Sequence, residues 1–123
     1  MGMATKDVAR ELGGFHLDEW LSTNEANHMG EGGVPHMQPS EVRPFGSWYA
    51  SQYPELVDVP IQVVCWMSVF AVHRRHIQQH GIQRYRQLEG QLATHANPEV
   101  GHYVERSWGA LFWPYPASCV FSD

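Results

Sequence analysis

The densest group of side chains able to do chemistry is Glu99, His102, Glu105 and Arg106. Their spacing places them on adjoining turns of one helix. Three kinds of chemistry suit carboxylates and an imidazole in that relation. A carboxylate can act as general base toward a hydroxyl nucleophile, with the imidazole as its partner. Glutamate and histidine can offer ligands to a divalent cation. Or the group is a surface ion-pair ladder closed by Arg106, worth about 0.3–0.5 kcal/mol per pair. Spacing alone favours the ladder.

The elements that must hold this group can be read from the flanking residues. Asn97 and Pro98 form a helix start, with asparagine as the N-cap and proline at the first helical position. Glu99 sets a negative charge at the positive helix end. The helix is predicted over 98–112, with Val100, Val104, Trp108, Leu111 and Phe112 as its inner stripe and Pro114 and Pro116 beyond its end. Residues 74–94 carry a helical pattern through Ile77, Tyr85, Leu88 and Leu92, split near Gly81, and His73 lies where a cap belongs. Before them, Ile61 to Val72 is rich in β-branched and aromatic residues and is predicted as a central strand buried on both faces. Phe45, Trp48, Tyr49 and Tyr53 recur at helical spacing after Pro44, which predicts a short aromatic helix over 44–53. Its rings either pack as core or form a platform for a sugar ring. The fold class expected is α+β.

The first 40 residues are poorly patterned. A short helix is expected from Met3 to Leu12, one more turn from Phe15 to Leu21, and a Gly/Pro-rich loop from Ser22 to Ser40. The division expected is 1–40 and 41–123.

Composition narrows the function classes. A chain of 123 residues with 43% hydrophobic content fits one domain with a real core. Its formal net charge of −5 argues against a general nucleic-acid binder, which needs a basic face to displace counterions. Basic residues do cluster at Arg74, Arg75, Arg84 and Arg86, among His73, His76 and His80, as a solvated face or an anion site. Cys65 and Cys119 make no disulfide framework and no metal-type pair. No apolar stretch reaches the roughly 18 residues that cross a bilayer, and the N-terminus lacks a signal-peptide pattern.

Four strings together resemble a known group. They are Arg43-Pro44-Phe45-Gly46-Ser47-Trp48-Tyr49, Val69-Phe70-Ala71-Val72-His73-Arg74-Arg75-His76-Ile77, the Tyr85–Leu92 helix, and Asn97-Pro98-Glu99-Val100-Gly101-His102-Tyr103-Val104-Glu105-Arg106-Ser107-Trp108. In order and spacing, over roughly residues 41 to 113, they resemble the C-terminal part of a group of domains of unknown function from fungi, algae and bacteria that is similar to GT-A glycosyltransferases. The resemblance implies a partial GT-A-like unit, the acceptor-side half of a transferase. Completed by its missing half, it would move a sugar from a nucleotide sugar, with Mn²⁺ or Mg²⁺, to a hydroxyl acceptor.

By motif position the resemblance makes Glu105 the base and Glu99 the next candidate. It gives His102 to a metal or phosphate, and Trp48, Tyr49, Arg43 and Arg106 to the substrate. The chain departs from the pattern at His73 and Gly81 and contains no Asp-x-Asp motif. The alternative function is a non-catalytic carbohydrate-binding or protein-interaction module. A homodimer is expected, because an isolated half-sheet would present an unpaired strand edge.

Overall fold

The structure is a computed structural model, and it describes Leu21, residues 37–59, Ile61, Val64, residues 69–116 and Ser118. The two helices expected between Met3 and Leu21, most of the following loop, the end of the C-terminal tail, Cys65 and Cys119 lie outside the described residues.

The described part is built from helices: α1 (Phe45–Gln52), α2 (Arg74–Gln78), α3 (Ile82–Leu92) and α4 (Glu99–Leu111), with a 3-10 turn at Pro54–Leu56. Helix α1 presents Phe45, Trp48 and Tyr49 inward. Tyr53, just past its end, is also buried. These rings meet Tyr103 of α4. Phe45 lies edge-on to Tyr103 at 5.7 Å and Trp48 sits at 5.4 Å, within the range where aromatic pairs add to simple burial. Leu88 of α3 and Val100, Val104, Ala110 and Leu111 of α4 complete the cluster.

Polar atoms inside this core are paired. Ser107 Oγ donates to the Val104 carbonyl at 2.9 Å and accepts from the Tyr53 hydroxyl at 3.1 Å. Burial pushes the Tyr53 hydroxyl up to about 12, against the opposing pull of the Ser107 hydrogen bond and the Arg84 charge. Arg84 reaches over the Tyr53 ring, 5.1 Å from its centroid, and pairs with Glu55.

The helix ends follow simple chemistry. His73 caps α2, its Nδ1 accepting from the Arg75 N–H at 3.1 Å. At the far end of α4, Gln79 and His80 both donate to the Leu111 carbonyl, at 3.1 and 2.5 Å, so two side chains serve an acceptor that the helix leaves unpaired. At the start of α4, Pro98 rather than Asn97 occupies the N-cap. Gln38 supplies the missing acceptor. Its carbonyl takes the Glu99 N–H and its own N–H goes to the Asn97 carbonyl, each at 2.8 Å.

The α+β expectation is corrected here, and with it the partial GT-A-like unit. Among the described residues there is no sheet, and Gln38 and Pro98 form an isolated parallel bridge. Ile61 and Val64 are buried in the helical core but belong to no strand. Val69 is 55% exposed, which an interior strand would not allow. Phe70 packs on Trp108 and Phe112 at 5.5 and 5.7 Å. The physical reason is that apolar β-branched residues such as Ile61 and Val64 need burial, and a helical core supplies it without strand pairing; residues 62, 63 and 65–68 of the expected strand lie outside the described residues. The homodimer argument loses its premise, since no sheet edge exists among the described residues. Met37 is buried and Gln38 is bound to the start of α4.

Substitution tests this arrangement. Leu111→Ala should cost about 2–5 kcal/mol in chemical denaturation, as core truncations do. Val69→Ala should stay within about 0.5 kcal/mol. A Val69→Ala cost equal to that of Leu111→Ala would restore an interior strand.

Candidate functional site

Glu99 opens α4 and turns inward, although its place in sequence put it on the outer side. Its side chain is 0% exposed. Oε2 accepts from Arg43 Nε at 2.8 Å and from the Ser40 N–H at 2.9 Å. Oε1 accepts from Arg43 Nη2 at 3.3 Å and from the Tyr103 hydroxyl at 3.0 Å. Two donors on each oxygen match the roughly four lone-pair sites of a carboxylate. Loss of solvent acts against the Arg43 charge, and Glu99 more than offsets it, so the guanidinium sits above its ordinary value. The Tyr103 hydroxyl is raised by burial and by the adjacent carboxylate. Glu99 and Arg43 thus fasten segment 38–43 to α4.

His102, Glu105 and Arg106 follow on the next two turns of the same helix. Arg106 Nη1 donates to the His102 carbonyl at 3.0 Å and lies 3.5 Å from Glu105 Oε2. Both partners of this ion pair are largely buried. Burial lowers the Arg106 value, while Glu105 opposes the shift. Burial also lowers His102 below its ordinary 6.5, helped by Arg106 and opposed by Glu105 and Glu99. The arrangement is an ion pair beside a neutral imidazole. Among the described residues no three histidine, cysteine or acidic side chains converge to hold a metal ion.

The aromatic residues assigned to substrate stand in the core. Trp48 is 1% exposed, with Phe45, Tyr53 and Tyr103 around its ring. Tyr49 is buried against Phe45 and Tyr53, and its hydroxyl donates to the Leu56 carbonyl at 2.9 Å. Desolvation raises that hydroxyl as well. Neither ring offers an open face for a sugar to stack on. Trp48 instead reaches a groove with its edge.

That groove, about 540 Å³, lies between segment 38–42, α1 and α3. Glutamines 38, 52, 87 and 91 line it together with Ser40, Glu41 and Thr94, and Pro39, Val42, Pro98 and Val100 form its apolar parts. On α3 the lining residues are Gln87, Gly90 and Gln91, a spacing that makes one helix face, and Thr94 stands just past its end. The amides of Gln91 and Gln52 are held in place. Trp48 Nε1 donates to Gln91 Oε1 at 3.0 Å, and Gln91 Nε2 donates to Gln52 Oε1 at 2.7 Å. Gln52 Nε2 donates to Ser51 Oγ at 3.2 Å, and Ser51 Oγ donates to the Trp48 carbonyl at 2.7 Å. The path leaves Trp48 at an atom that only donates and returns at one that only accepts. Among the described residues the side-chain amides of Gln38 and Gln87 have no hydrogen-bond partner.

The sequence reading did not single out these glutamines. The one available signal was the helical repeat of small and amide side chains along α3 opposite Leu88. Comparison of the chain with protein-family models, with curated proteins and with solved structures finds no match. No helix among the described residues is long and apolar enough to cross a membrane.

The lowered His102 value carries a pH prediction. The unfolded chain takes up this proton near pH 6.5, and the folded chain resists it. The contribution of His102 is fully present above that pH and is lost as pH falls through 6.5 toward the lowered folded value. Urea denaturation at about pH 7.5 and about pH 5.5 should show stability falling with acidification, and His102→Gln should make the fall smaller. An identical fall in the variant would contradict the assignment.

Proposed function

We propose that this chain is a non-catalytic binding module and that its ligand is a neutral carbohydrate seated in the amide-lined groove. The observation that carries the reading is the pinned Trp48–Gln91–Gln52–Ser51 circuit along a groove that also presents the unpartnered amides of Gln38 and Gln87. Neutral polyhydroxylated ligands need donors and acceptors in alternation, and primary amides supply both without charge. The groove volume falls in the range of small-ligand sites, roughly 300–1,000 Å³. Pro39 and Val42 give apolar surface for the CH faces of a ring.

The transferase reading rests on the motif resemblance. It asks Glu105 to serve as base and Glu99 to assist, whereas Glu99 is spent on Arg43, Ser40 and Tyr103. The binding reading asks nothing of either.

Gly90 makes the test clean. A Cβ there would meet nothing within 4 Å, and glycine in a helix interior costs about 1 kcal/mol relative to alanine. Gly90→Phe should therefore leave thermal stability unchanged or higher while its ring fills the groove. Calorimetric titration with a panel of neutral oligosaccharides should detect binding to the wild-type chain and at least about tenfold weaker binding to Gly90→Phe. Absence of binding across the panel would contradict the proposal. So would a response to a UDP-sugar with Mn²⁺ that Gly90→Phe leaves intact, because that ligand would sit elsewhere.

A further inference from the structure

We infer that the groove is selective for sugars bearing an acetamido group, and that Gln91 sets this selectivity by fixing which way the Gln52 amide faces. The inference rests on the carbohydrate reading of the same groove and adds a direction to it.

An isolated glutamine amide can turn over and offer either a donor or an acceptor. Gln52 has lost that freedom. The Trp48 indole N–H can only donate, so Gln91 must present Oε1 to it, at 3.0 Å. Gln91 is then obliged to present its NH₂ to Gln52, and Gln52 Oε1 accepts it at 2.7 Å. The Gln52 NH₂ is left pointing away from Gln91. Ser51 takes one of its hydrogens at 3.2 Å. Ser51 accepts because its own hydrogen goes to the Trp48 carbonyl at 2.7 Å. One N–H of Gln52 remains for a ligand.

A fixed donor favours ligands with a strong, fixed acceptor. Hydroxyl oxygens are adaptable and moderate acceptors, whereas an amide carbonyl is a better one. A carboxylate would be stronger still, but Glu41 lines the same groove and repels it. The acetamido group adds a methyl, and Val42, 39% exposed, stands beside Pro39 on the groove wall to receive it. Donor, apolar wall and neighbouring negative charge together select a neutral acyl-amino sugar over a plain hexose or a uronic acid.

The test compares N-acetylglucosamine and glucose oligomers of equal length by calorimetric titration. The wild-type chain should bind the acetamido oligomer about fivefold to tenfold more tightly, the size of one neutral hydrogen bond. In Gln91→Glu the introduced carboxylate still accepts from Trp48 but cannot donate to Gln52. The Gln52 amide turns over and its oxygen faces the ligand. The preference should fall to near unity, read as the ratio of the two affinities in the same variant. Gln52→Met removes the donor directly and should abolish the preference independently, should Gln91→Glu fold poorly. Equal wild-type affinity for the two oligomers, or a preference that survives both substitutions, overturns the polarity assignment and leaves the carbohydrate reading standing. Binding of neither oligomer overturns both.

Discussion

A buried carboxylate at the first residue of α4 holds the described structure together. Taking an ionised side chain out of water costs several kcal/mol unless its lone pairs are met. Glu99 meets that demand with Arg43, the Ser40 N–H and the Tyr103 hydroxyl. Its negative charge also stands at the positive end of the helix, where it is favoured. Two of the donors come from the segment before α1 and the third from α4 itself. Arg43 precedes α1, Ser40 belongs to the segment that crosses the start of α4, and Tyr103 faces the aromatic core one turn on. Satisfying one charge therefore fixes the segment that leads into α1 against the start of α4.

The groove depends on that fixation. Its one wall is the segment from Gln38 to Val42, and its other walls are α1 and α3. The segment has two anchors, the Gln38 backbone bridge to α4 and the Ser40 contact with Glu99. Without them the wall facing Gln87 and Gln91 has nothing to hold its distance. The floor is set separately by the core, because Trp48 is locked among Phe45, Tyr53 and Tyr103 and only its N–H is left to pair with Gln91. Core packing thus determines which atom reaches the groove, and that atom determines the amide directions beyond it.

Local signals in the sequence located the helices. They run over 45–52, 74–78, 82–92 and 99–111, against predictions of 44–53, 74–94 broken near 81, and 98–112. Proline, glycine and aromatic spacing act over a few residues, so they can be read from a short window. The interior strand was misread because an apolar β-branched run looks the same whether it pairs with neighbours or only fills a helical core. Ile61 and Val64 do the second. The role of Glu99 was hidden for another reason. Spacing with His102 and Glu105 suggested shared chemistry, but its partners Arg43 and Ser40 lie 56 and 59 residues away. The glutamine groove left almost no trace, since neutral amides from three segments carry no charge pattern and acquire meaning only when folding brings them to one surface.

The central claim is that Glu99 and Arg43 act as one unit, and a double-mutant cycle with Arg43→Met, Glu99→Gln and the combined variant tests it most directly. Because Arg43 is 37% exposed, water screens part of the attraction. The account predicts a coupling of about 1–3 kcal/mol in denaturant unfolding, with the double variant much less destabilised than the sum of the singles. Additive losses, with coupling below about 0.5 kcal/mol, would contradict it.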